Sequence, residues 1–333
     1  MKRPILSIAF LLLLIIGTIL ILRNAQNKRY LQLSGDVFGT SYHITYYSSK
    51  PLDNEVKATL QRVDATFSMF NPSSLTARLN AGIDTVLNDN FIEVFNMAQQ
   101  VAQRTNGAFD ITVAPLVNLW GFGIDSQSKP SKPSIDSIKQ FVGYDKVSLQ
   151  QKHLRRTHPN IQLDFSAIAK GYACDALANT MKRHQVEHFM IEIGGEVICR
   201  GDNPKGKTWN IAVQNPQAEG DSVAYQTILP LKNRAVATSG NYRNFYYKNG
   251  RRYAHTINPH TGYPVEHTLL SATVVARQCA LADAYATAFM VMGLTKAQQL
   301  LQYNSEIQAL LIYEDNKKQL KTWCTPELEK LLQ

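Results

Sequence analysis

The chain has 333 residues, of which 44% are hydrophobic and 18% charged, a balance typical of a folded globular protein and not of a disordered one. Its formal net charge is +9, but five basic residues and no acidic one lie within residues 1–30, which leaves only +4 for the rest. No basic run interleaved with aromatic residues follows, and this argues against nucleic-acid binding.

The first segment of the chain is strongly apolar. Residues 5–22 form 18 consecutive positions without a charge. This length lies within the roughly 17–25 residues that cross a bilayer, and it exceeds the usual core of a signal peptide. Asn24-Ala25-Gln26 is a weak cleavage site, and no cysteine lies near for lipid attachment. We expect residues 1–29 to be an uncleaved signal anchor, with a cleaved signal peptide as the alternative, followed by one domain over residues 30–333.

The four cysteines are far apart in the sequence and form no CxxC pair, so a zinc site is not expected. One disulfide is possible in an oxidising compartment, but buried free thiols are the favoured interpretation.

Strands outnumber helices in the predicted order of elements and rarely alternate with them, which predicts an α+β fold. The first half of the chain is predicted to contain a strand over 41–47, helices over 54–67, 91–104 and 134–140, strands near 146–149, 152–156 and 161–165, and a helix over 167–184. The second half continues with strands over 188–200, 209–214 and 224–231, a hairpin at Asn249-Gly250 and a strand over 269–276. Helices ending near 293 and 303, strands over 307–313 and 320–324 and a last short helix complete the order. Gly194-Gly195 interrupts the strand over 188–200 and predicts a bulge or a close backbone approach. No nucleotide-binding glycine motif joins a strand to a helix.

Residues 107–123, GAFDITVAPLVNLWGFG, combine apolar bulk with no clean period. They are either a buried connecting loop capped by Asp110 or the wall of a ligand pocket that offers aromatic faces to a flat ring. The short polar stretch 125–133 is predicted to be a surface loop within the domain.

A strand-to-helix junction follows in the run DFSAIAKGY, where Asp164 ends the strand and Ser166 is predicted to cap the helix. The free N–H groups at a helix start suit a phosphate. Lys170 in the first turn opposes the helix dipole, which makes a purely structural role less attractive. Functional and structural interpretations of this junction both stay open.

The alanine-rich helix before Gly293 carries Asp283 and Thr287, four residues apart and therefore on one face. In the structural interpretation, Asp283 is a surface residue and Thr287 bonds back to a carbonyl. In the functional one, the carboxylate and hydroxyl hold a hard cation such as Mg²⁺, which keeps water or phosphate in its other positions.

Eight segments carry a resemblance to a known family: VFGTSYHITYY, FSMFNPSSLTARLN, GAFDITVAPLVNLWGFG, LDFSAIAKGYACDALA, IEIGGEV, AVATSGNYRNFY, YAHTINPHTGYPVEH and LADAYATAF. In this order they resemble the motifs of the ApbE family of FAD:protein FMN transferases. The resemblance covers about residues 35–295, and several segments exceed ten positions.

The resemblance implies a single ApbE-like domain of mainly antiparallel strands with packed helices, preceded by the membrane anchor. It implies an extracytoplasmic, Mg²⁺-dependent enzyme at the periplasmic side of a bacterial inner membrane. The enzyme would transfer the FMN part of FAD to a Thr or Ser hydroxyl of a target protein and release AMP. Family targets are FMN-accepting subunits of membrane redox complexes of the sodium-pumping and Rnf types. FAD hydrolysis to FMN and AMP and non-catalytic FAD binding remain as alternatives.

Matched motif by motif, the resemblance also implies roles for individual residues. The metal would be held by Asp283, Thr287 and the main-chain carbonyl of Ala167. FAD contacts would fall to Phe38, Phe70, Ala108, Phe109, Asp110, Asp164, Lys170 and Ile257. His255 matches the family histidine proposed as the base for the target hydroxyl.

The chain departs from the family pattern at four of these motif positions. Phe38 stands where members often have Met, and Phe70 where many have Tyr, so stacking is retained but a hydroxyl contact is lost. Asn241 replaces a frequent Asp and receives no catalytic role. Ala286 stands where some members carry a further metal carboxylate, so we expect a metal site with fewer ligands.

Overall fold

The computed structural model describes residues 9–18, 28–123, 130–216, 225–241, 245–248, 251–254 and 256–332. The strands are β1 Arg29–Val37, β2 Thr40–Ser48, β3 Val147–Gln150, β4 His153–Arg156, β5 Phe189–Ile193, β6 Glu196–Arg200, β7 Trp209–Gln214, β8 Tyr225–Leu231, β9 Arg234–Gly240, β10 Phe245–Lys248, β11 Arg251–Ala254, β12 Leu269–Ala276, β13 Gln308–Glu314 and β14 Leu320–Cys324. The helices are α1 at residues 9–18, α2 Asp53–Phe67, α3 Leu75–Asn80, α4 Asp89–Arg104, α5 Ala114–Leu119, α6 Lys132–Lys139, α7 Ser166–Arg183, α8 Cys279–Met292, α9 Leu294–Gln302 and α10 Pro326–Leu332.

Eight of these strands form one sheet in the order β1-β2-β5-β6-β9-β12-β13-β14, and each neighbouring pair runs antiparallel. The other strands form the two-stranded ladders β3-β4, β7-β8 and β10-β11. The α+β class and the predominantly antiparallel sheet are therefore confirmed.

The central strands are buried on both faces. On β9, Ala235 and Ala237 belong to the large core shared with the helices, whereas Val236 between them belongs to a second core on the opposite face. This alternation follows from the two-residue period of a strand. The second core includes residues of β7, β8 and α10, so the sheet lies between a helical layer and this smaller cover.

The alanine-rich composition of α8 has a packing reason. This helix contacts β9, β12 and α7, and eleven of its fourteen residues are buried. Small side chains allow the close approach of neighbours on several sides. The helix is therefore an element of the interior, not the half-exposed surface helix that an isolated Asp and Thr would suggest.

Most elements agree with the sequence predictions, and the differences have local causes. The stretch 161–165 pairs with no strand of the described chain, because its N–H groups bond elsewhere: Leu163 to the Asn80 side chain and Asp164 to the Ile111 carbonyl. Gly194 and Gly195 form the turn of the β5-β6 hairpin, with φ of +60° and +102°, so the bulge was wrong. The alternative, a close backbone approach, is present, because the N–H of Gly194 donates to the carbonyl of Ser41 at 3.1 Å. Both positive φ values suit glycine.

Two further features of the helical regions bear on the predictions. Part of the stretch 107–123 is helix α5, which starts with a proline in its first turn, so the stretch is not loop throughout. Helix α4 begins at Asp89, two residues before the predicted start, and is capped by the side chain of Asn88. The β10-β11 ladder confirms the predicted hairpin, although its turn residues lie outside the described chain.

The cysteines agree with the favoured interpretation of free thiols. All four are free, and three of them are buried. In the N-terminal segment, residues 9–18 are helical. Within the described residues, we find no helix with the length and apolar character needed to cross a membrane.

Helices α7 and α8 approach so closely that only a glycine fits between them. A Cβ atom added to Gly171 of α7 would lie 2.4 Å from the carbonyl oxygen of Cys279 and 2.8 Å from the Cα of Ala280. Both are backbone atoms, which cannot move aside as a flexible side chain can. The separation of the two helices is therefore set by this glycine.

We expect Gly171→Ala to destabilise the protein by about 1–3 kcal/mol, because the added methyl group forces the two backbones apart. Equilibrium unfolding in urea measures this change. The control is Asn179→Ala on the exposed face of the same helix, where improved helix propensity should leave stability unchanged or slightly raised. Equal stability of Gly171→Ala and wild type would show that the approach is not tight.

Candidate active site

The carboxylate of Asp283 lies at the crossing of α7 and α8. Its side chain is 3% exposed, and Oδ2 accepts the N–H of Gly171 at 3.1 Å. In an α-helix this N–H faces the carbonyl four residues earlier, which is that of Ala167. The structure therefore brings together two of the three predicted metal ligands, Asp283 and the Ala167 carbonyl.

Thr287, the third predicted ligand, follows Asp283 by one helical turn on α8. Its hydroxyl lies 3.1 Å from the hydroxyl of Ser239 at the end of β9. Sequence analysis assigned no role to Ser239, although it belongs to the quoted segment AVATSGNYRNFY. Thr287 therefore presents its hydroxyl on the same face of α8 as Asp283, where it is paired with the hydroxyl of Ser239.

A carboxylate, a hydroxyl and a main-chain carbonyl are hard oxygen donors, the set that suits Mg²⁺. In the described part of the chain, no three or more His, Cys, Asp and Glu side chains cluster to hold a metal. Asp283, Thr287 and the Ala167 carbonyl provide three oxygen donors. Water or phosphate oxygens would fill the other coordination positions of Mg²⁺. The residues present fit a hard cation that is shared with an anionic substrate.

Lys170 forms an ion pair with Glu196, the first residue of β6. The Glu196 side chain is 4% exposed, and its Oε2 has no hydrogen-bond partner among the described residues. With Lys170 protonated and both carboxylates ionised, Lys170, Glu196 and Asp283 together carry one surplus negative charge. A bound divalent cation would offset that charge.

The pKa values of these three groups reflect the same balance. Burial raises the pKa of Glu196, the nearby Asp283 carboxylate raises it further, and Lys170 acts against both. Burial also raises the pKa of Asp283, against the opposing effects of Lys170 and the Gly171 N–H. For Lys170, burial would lower the pKa, but the two carboxylates outweigh it and raise the pKa. The ammonium group is therefore held in its charged form.

Glu196 was missed by sequence analysis. The signal available was an acidic residue directly after Gly194-Gly195, at the start of an apolar strand. Glu196 also gives Lys170 a structural partner, which the prediction based on the helix dipole did not include.

The start of α7 differs from its predicted capping. The helix begins at Ser166, and Oδ1 of Asp164 accepts both the N–H of Ser166 at 2.8 Å and its hydroxyl at 2.5 Å. Ser166 was therefore wrongly predicted as the cap, because the aspartate two residues earlier supplies the acceptor. Asp164 lies two residues before this helix, whose first five residues include Ala167 and Lys170.

The segment Ala108–Asp110 is buried and adjoins Asp164. Oδ1 of Asp110 accepts the N–H of Thr112 at 2.8 Å and its hydroxyl at 2.7 Å. Burial raises the pKa of Asp110, and these two hydrogen bonds oppose the shift. The carbonyl of Ile111 accepts the N–H of Asp164 at 2.7 Å. Asp110 thus caps its own turn, as the structural interpretation of this segment requires, and the segment also borders the α7 start.

Ile257 lies in a turn that packs against the same segment. It is 5% exposed and pairs with Pro264. His260 in this turn donates from Nε2 to the carbonyl oxygen of Asn106 at 2.7 Å. The turn is thereby fixed beside Gly107, which directly precedes Ala108. His255, two residues before Ile257, lies outside the described residues.

Phe38 and Phe70, two of the three aromatic residues predicted to contact FAD, lie on loops around this region. Phe38 has φ of +52° in the β1-β2 turn, an uncommon conformation for a side chain of this size. The neighbouring Thr40 lies against Gly194, whose added Cβ would be 2.9 Å from the threonine methyl carbon. The turn that holds Phe38 is therefore adjacent to the β5-β6 turn, which directly precedes Glu196.

Phe70 is 82% exposed on the loop between α2 and α3. The side chain of Asn80 connects this loop to the segment that precedes α7. Its Nδ2 lies 3.6 Å from the sulfur of Met69 and donates to the carbonyl of Leu163 at 2.8 Å. A large apolar ring is thus exposed on a loop that Asn80 links to Leu163, the residue before Asp164.

Comparison with known proteins supports the sequence resemblance. The sequence model of the ApbE family matches residues 38–311. A protein named FAD:protein FMN transferase from Haemophilus influenzae is 33% identical over 308 residues, which cover 87% of this chain and 89% of that protein. The one of the same name from Escherichia coli K12 is 31% identical, with coverage of 90% and 88%.

Two solved structures are similar in fold. The flavin transferase ApbE from Vibrio cholerae has a TM-score of 0.82 and 30% identity, and the match covers 92% of this chain and all of that one. The apo form of Pseudomonas stutzeri flavinyl transferase ApbE has a TM-score of 0.83 and 32% identity, with coverage of 92% and 97%. Together with the sequence match, these similarities show that the chain belongs to the ApbE family.

Proposed function

We propose that the protein transfers the FMN part of FAD to a Thr or Ser hydroxyl of a target protein and releases AMP, in a Mg²⁺-dependent reaction. The observation that carries this proposal is the α7–α8 crossing, where Asp283 lies beside the Ala167 carbonyl and near Lys170. The names of the family relatives, FAD:protein FMN transferase, support the reaction class.

The proposed reaction is an attack of the acceptor hydroxyl oxygen on the phosphorus of the FMN half. The bond from that phosphorus to the bridging oxygen breaks, AMP leaves with the electron pair, and the hydroxyl proton passes to a base. Phosphoryl transfer of this kind depends mainly on positioning and charge neutralisation. A bound Mg²⁺ supplies that neutralisation at the diphosphate and the leaving group.

Residues of this chain would perform the remaining tasks. Asp283, Thr287 and the Ala167 carbonyl would hold the cation, and Lys170 with the positive end of the α7 helix dipole would add positive potential for the diphosphate. Lys170 is suited to this role because its ammonium group is held in the charged form and its side chain is still 32% exposed.

The flavin and adenine rings need apolar surfaces, and we assign these to the family positions. Phe70 offers most of its ring area to solvent, as a stacking residue requires. Phe38, Asp164, Ile257 and the segment Ala108–Asp110 would complete the FAD contacts. Since Asp110 Oδ1 already accepts two hydrogen bonds from Thr112, its part would be to shape this wall of the site.

His255 is proposed as the base that takes the hydroxyl proton. The proposal rests on the family motif YAHTINPHTGYP, in which this histidine precedes the buried residue Ile257 by two positions. An imidazole suits the role because its ordinary pKa lies near neutral pH.

FAD hydrolysis to FMN and AMP and non-catalytic FAD binding are the rival functions, and one assay separates all three. The full-length chain, purified in mild detergent, is mixed with FAD, Mg²⁺ and a candidate carrier domain. The mass of the carrier and the amount of AMP are then followed. Carrier that gains the mass of FMN supports transfer, AMP with unlabelled carrier supports hydrolysis, and the absence of both products leaves a binding protein.

We further propose that residues 1–29 anchor the protein in the bacterial inner membrane, with the enzyme domain on the periplasmic side. The apolar run 5–22 supports this, and within it the large apolar side chains at positions 10–16 are exposed rather than packed on the domain. The partners would be FMN-accepting subunits of sodium-pumping or Rnf-type complexes. Release of the protein from membranes by salt alone would contradict the anchor.

We expect Asp283→Ala to lower the rate of carrier labelling at least about 100-fold, because the cation loses its carboxylate ligand. Raising the Mg²⁺ concentration should not restore the rate. The control, Asp136→Ala, removes an exposed carboxylate on α6 and should keep the wild-type rate. A wild-type response of Asp283→Ala across the Mg²⁺ titration would refute the metal assignment.

We expect His255→Ala to retain FAD affinity but to lose turnover by about 10²–10⁴-fold, as the removal of a general base does. Equilibrium FAD binding and the labelling assay measure the two effects separately. His184→Ala, at an exposed position after α7, is the matched control. Unchanged turnover would remove His255 from the mechanism.

A further inference from the structure

A buried carboxylate of α7 that has no part in the proposed chemistry holds the start of α8. Asp175 is 8% exposed. Its Oδ1 accepts the N–H of Cys279 and its Oδ2 accepts the N–H of Ala280, each at 2.9 Å. Cys279 and Ala280 are the first two residues of α8. Both carboxylate oxygens of Asp175 are therefore committed to the backbone of the neighbouring helix.

Helix α8 lacks a cap of its own. Gln278, at its N-cap position, has the extended backbone of a capping residue, but its side chain makes no capping hydrogen bond. The first N–H groups of a helix have no partner within the helix and need outside acceptors. In this protein, α7 provides them from the side, and a residue distant in sequence replaces the usual local cap.

Among the described residues, two carboxylates, Asp175 and Asp283, accept backbone N–H groups of the neighbouring helix. Asp175 of α7 accepts the N–H of Cys279 at the start of α8. One turn earlier on α7, the N–H of Gly171 donates to Asp283, which lies one turn later on α8. Two contacts separated by one turn on both helices fix how far α8 can slide along α7 or rotate against it. The position of the Asp283 carboxylate relative to the Ala167 carbonyl depends on both this translation and this rotation of α8.

We propose that Asp175 is a positioning residue for the cation site. By holding the start of α8 against α7, it sets the distance between the Asp283 carboxylate and the Ala167 carbonyl and thereby the affinity for Mg²⁺. This inference rests on the proposed function, since it takes these two groups as cation ligands. Groups that orient metal ligands alter metal affinity by about 10–100-fold when they are replaced, and Asp175 would orient Asp283 through the start of α8.

The competing interpretation is that Asp175 only stabilises α8 as a helix cap. A double variant separates the two roles. Asp175→Asn leaves one of the two N–H groups without an acceptor, since an amide nitrogen cannot accept a hydrogen bond. Adding Gln278→Asp supplies a cap from the exposed N-cap position of α8 itself. The double variant therefore has a capped α8 that has lost one of its two hydrogen bonds to residue 175 of α7.

The test measures binding of Mg²⁺ alone to the full-length chain in detergent by isothermal titration calorimetry, together with the midpoint of thermal unfolding. We expect Asp175→Asn to weaken Mg²⁺ binding about tenfold or more and to lower the unfolding midpoint. The double variant should regain the midpoint but not the affinity. Asn88→Ala, which removes the cap of α4, should lower the midpoint and leave Mg²⁺ affinity unchanged.

Two results would overturn the proposal: unchanged Mg²⁺ affinity in Asp175→Asn, or recovery of affinity together with stability in the double variant. If Asp175→Asn does not fold, the double variant alone provides the comparison with wild type, and wild-type affinity there contradicts the proposal. Failure of the wild-type chain to bind Mg²⁺ would instead contradict the proposed function, so the two failures are distinguishable.

Discussion

The close contact of two helices at Gly171 is the constraint on which the rest of the site depends. With no side chain at this position, the backbones of α7 and α8 meet directly, and the N–H of Gly171 reaches the carboxylate of Asp283. A carboxylate buried to 3% exposure needs such a partner. The same contact places the carboxylate beside the first turn of α7, which carries the Ala167 carbonyl.

The surrounding sheet supplies the remaining charges and hydroxyls. Strand β6 brings Glu196 to Lys170, and strand β9 brings Ser239 to Thr287. The strand order places β6 next to β9, so these two contributions come from neighbouring strands beneath the helix pair. The proposed cation site thus combines one helix face, the start of a second helix and two adjacent strands, and it needs no ligand from a flexible loop.

Sequence analysis predicted the parts of this arrangement that are local in the chain. The helical spacing of Asp283 and Thr287 and the helix start near Ala167 required only periodicity, and the family motifs joined them into one site. The partners of these residues were not predictable in the same way. Glu196 links a strand to a helix, and Asp175 links two helices. A lone acidic residue in an apolar segment does not indicate which distant group it meets.

The other differences between prediction and structure lie at turns and helix caps. Gly194-Gly195 is compatible with a bulge or with a tight hairpin turn, because glycine accepts the positive φ values of both, and only the pairing of β5 with β6 distinguishes them. Asp164 and Ser166 are both good capping residues. Which of them accepts the hydrogen bond depends on where the helix begins, a boundary that periodicity defines only to within a few residues.

The most direct measurement is the position of a cation in crystals grown with FAD and Mn²⁺ in place of Mg²⁺, located by its anomalous scattering. The account predicts a peak at about 2.0–2.3 Å from an oxygen of Asp283 and from the Ala167 carbonyl, in contact with the diphosphate of FAD. A cation and diphosphate bound together elsewhere on the protein, with Asp283 still bonded only to the Gly171 N–H, would contradict it.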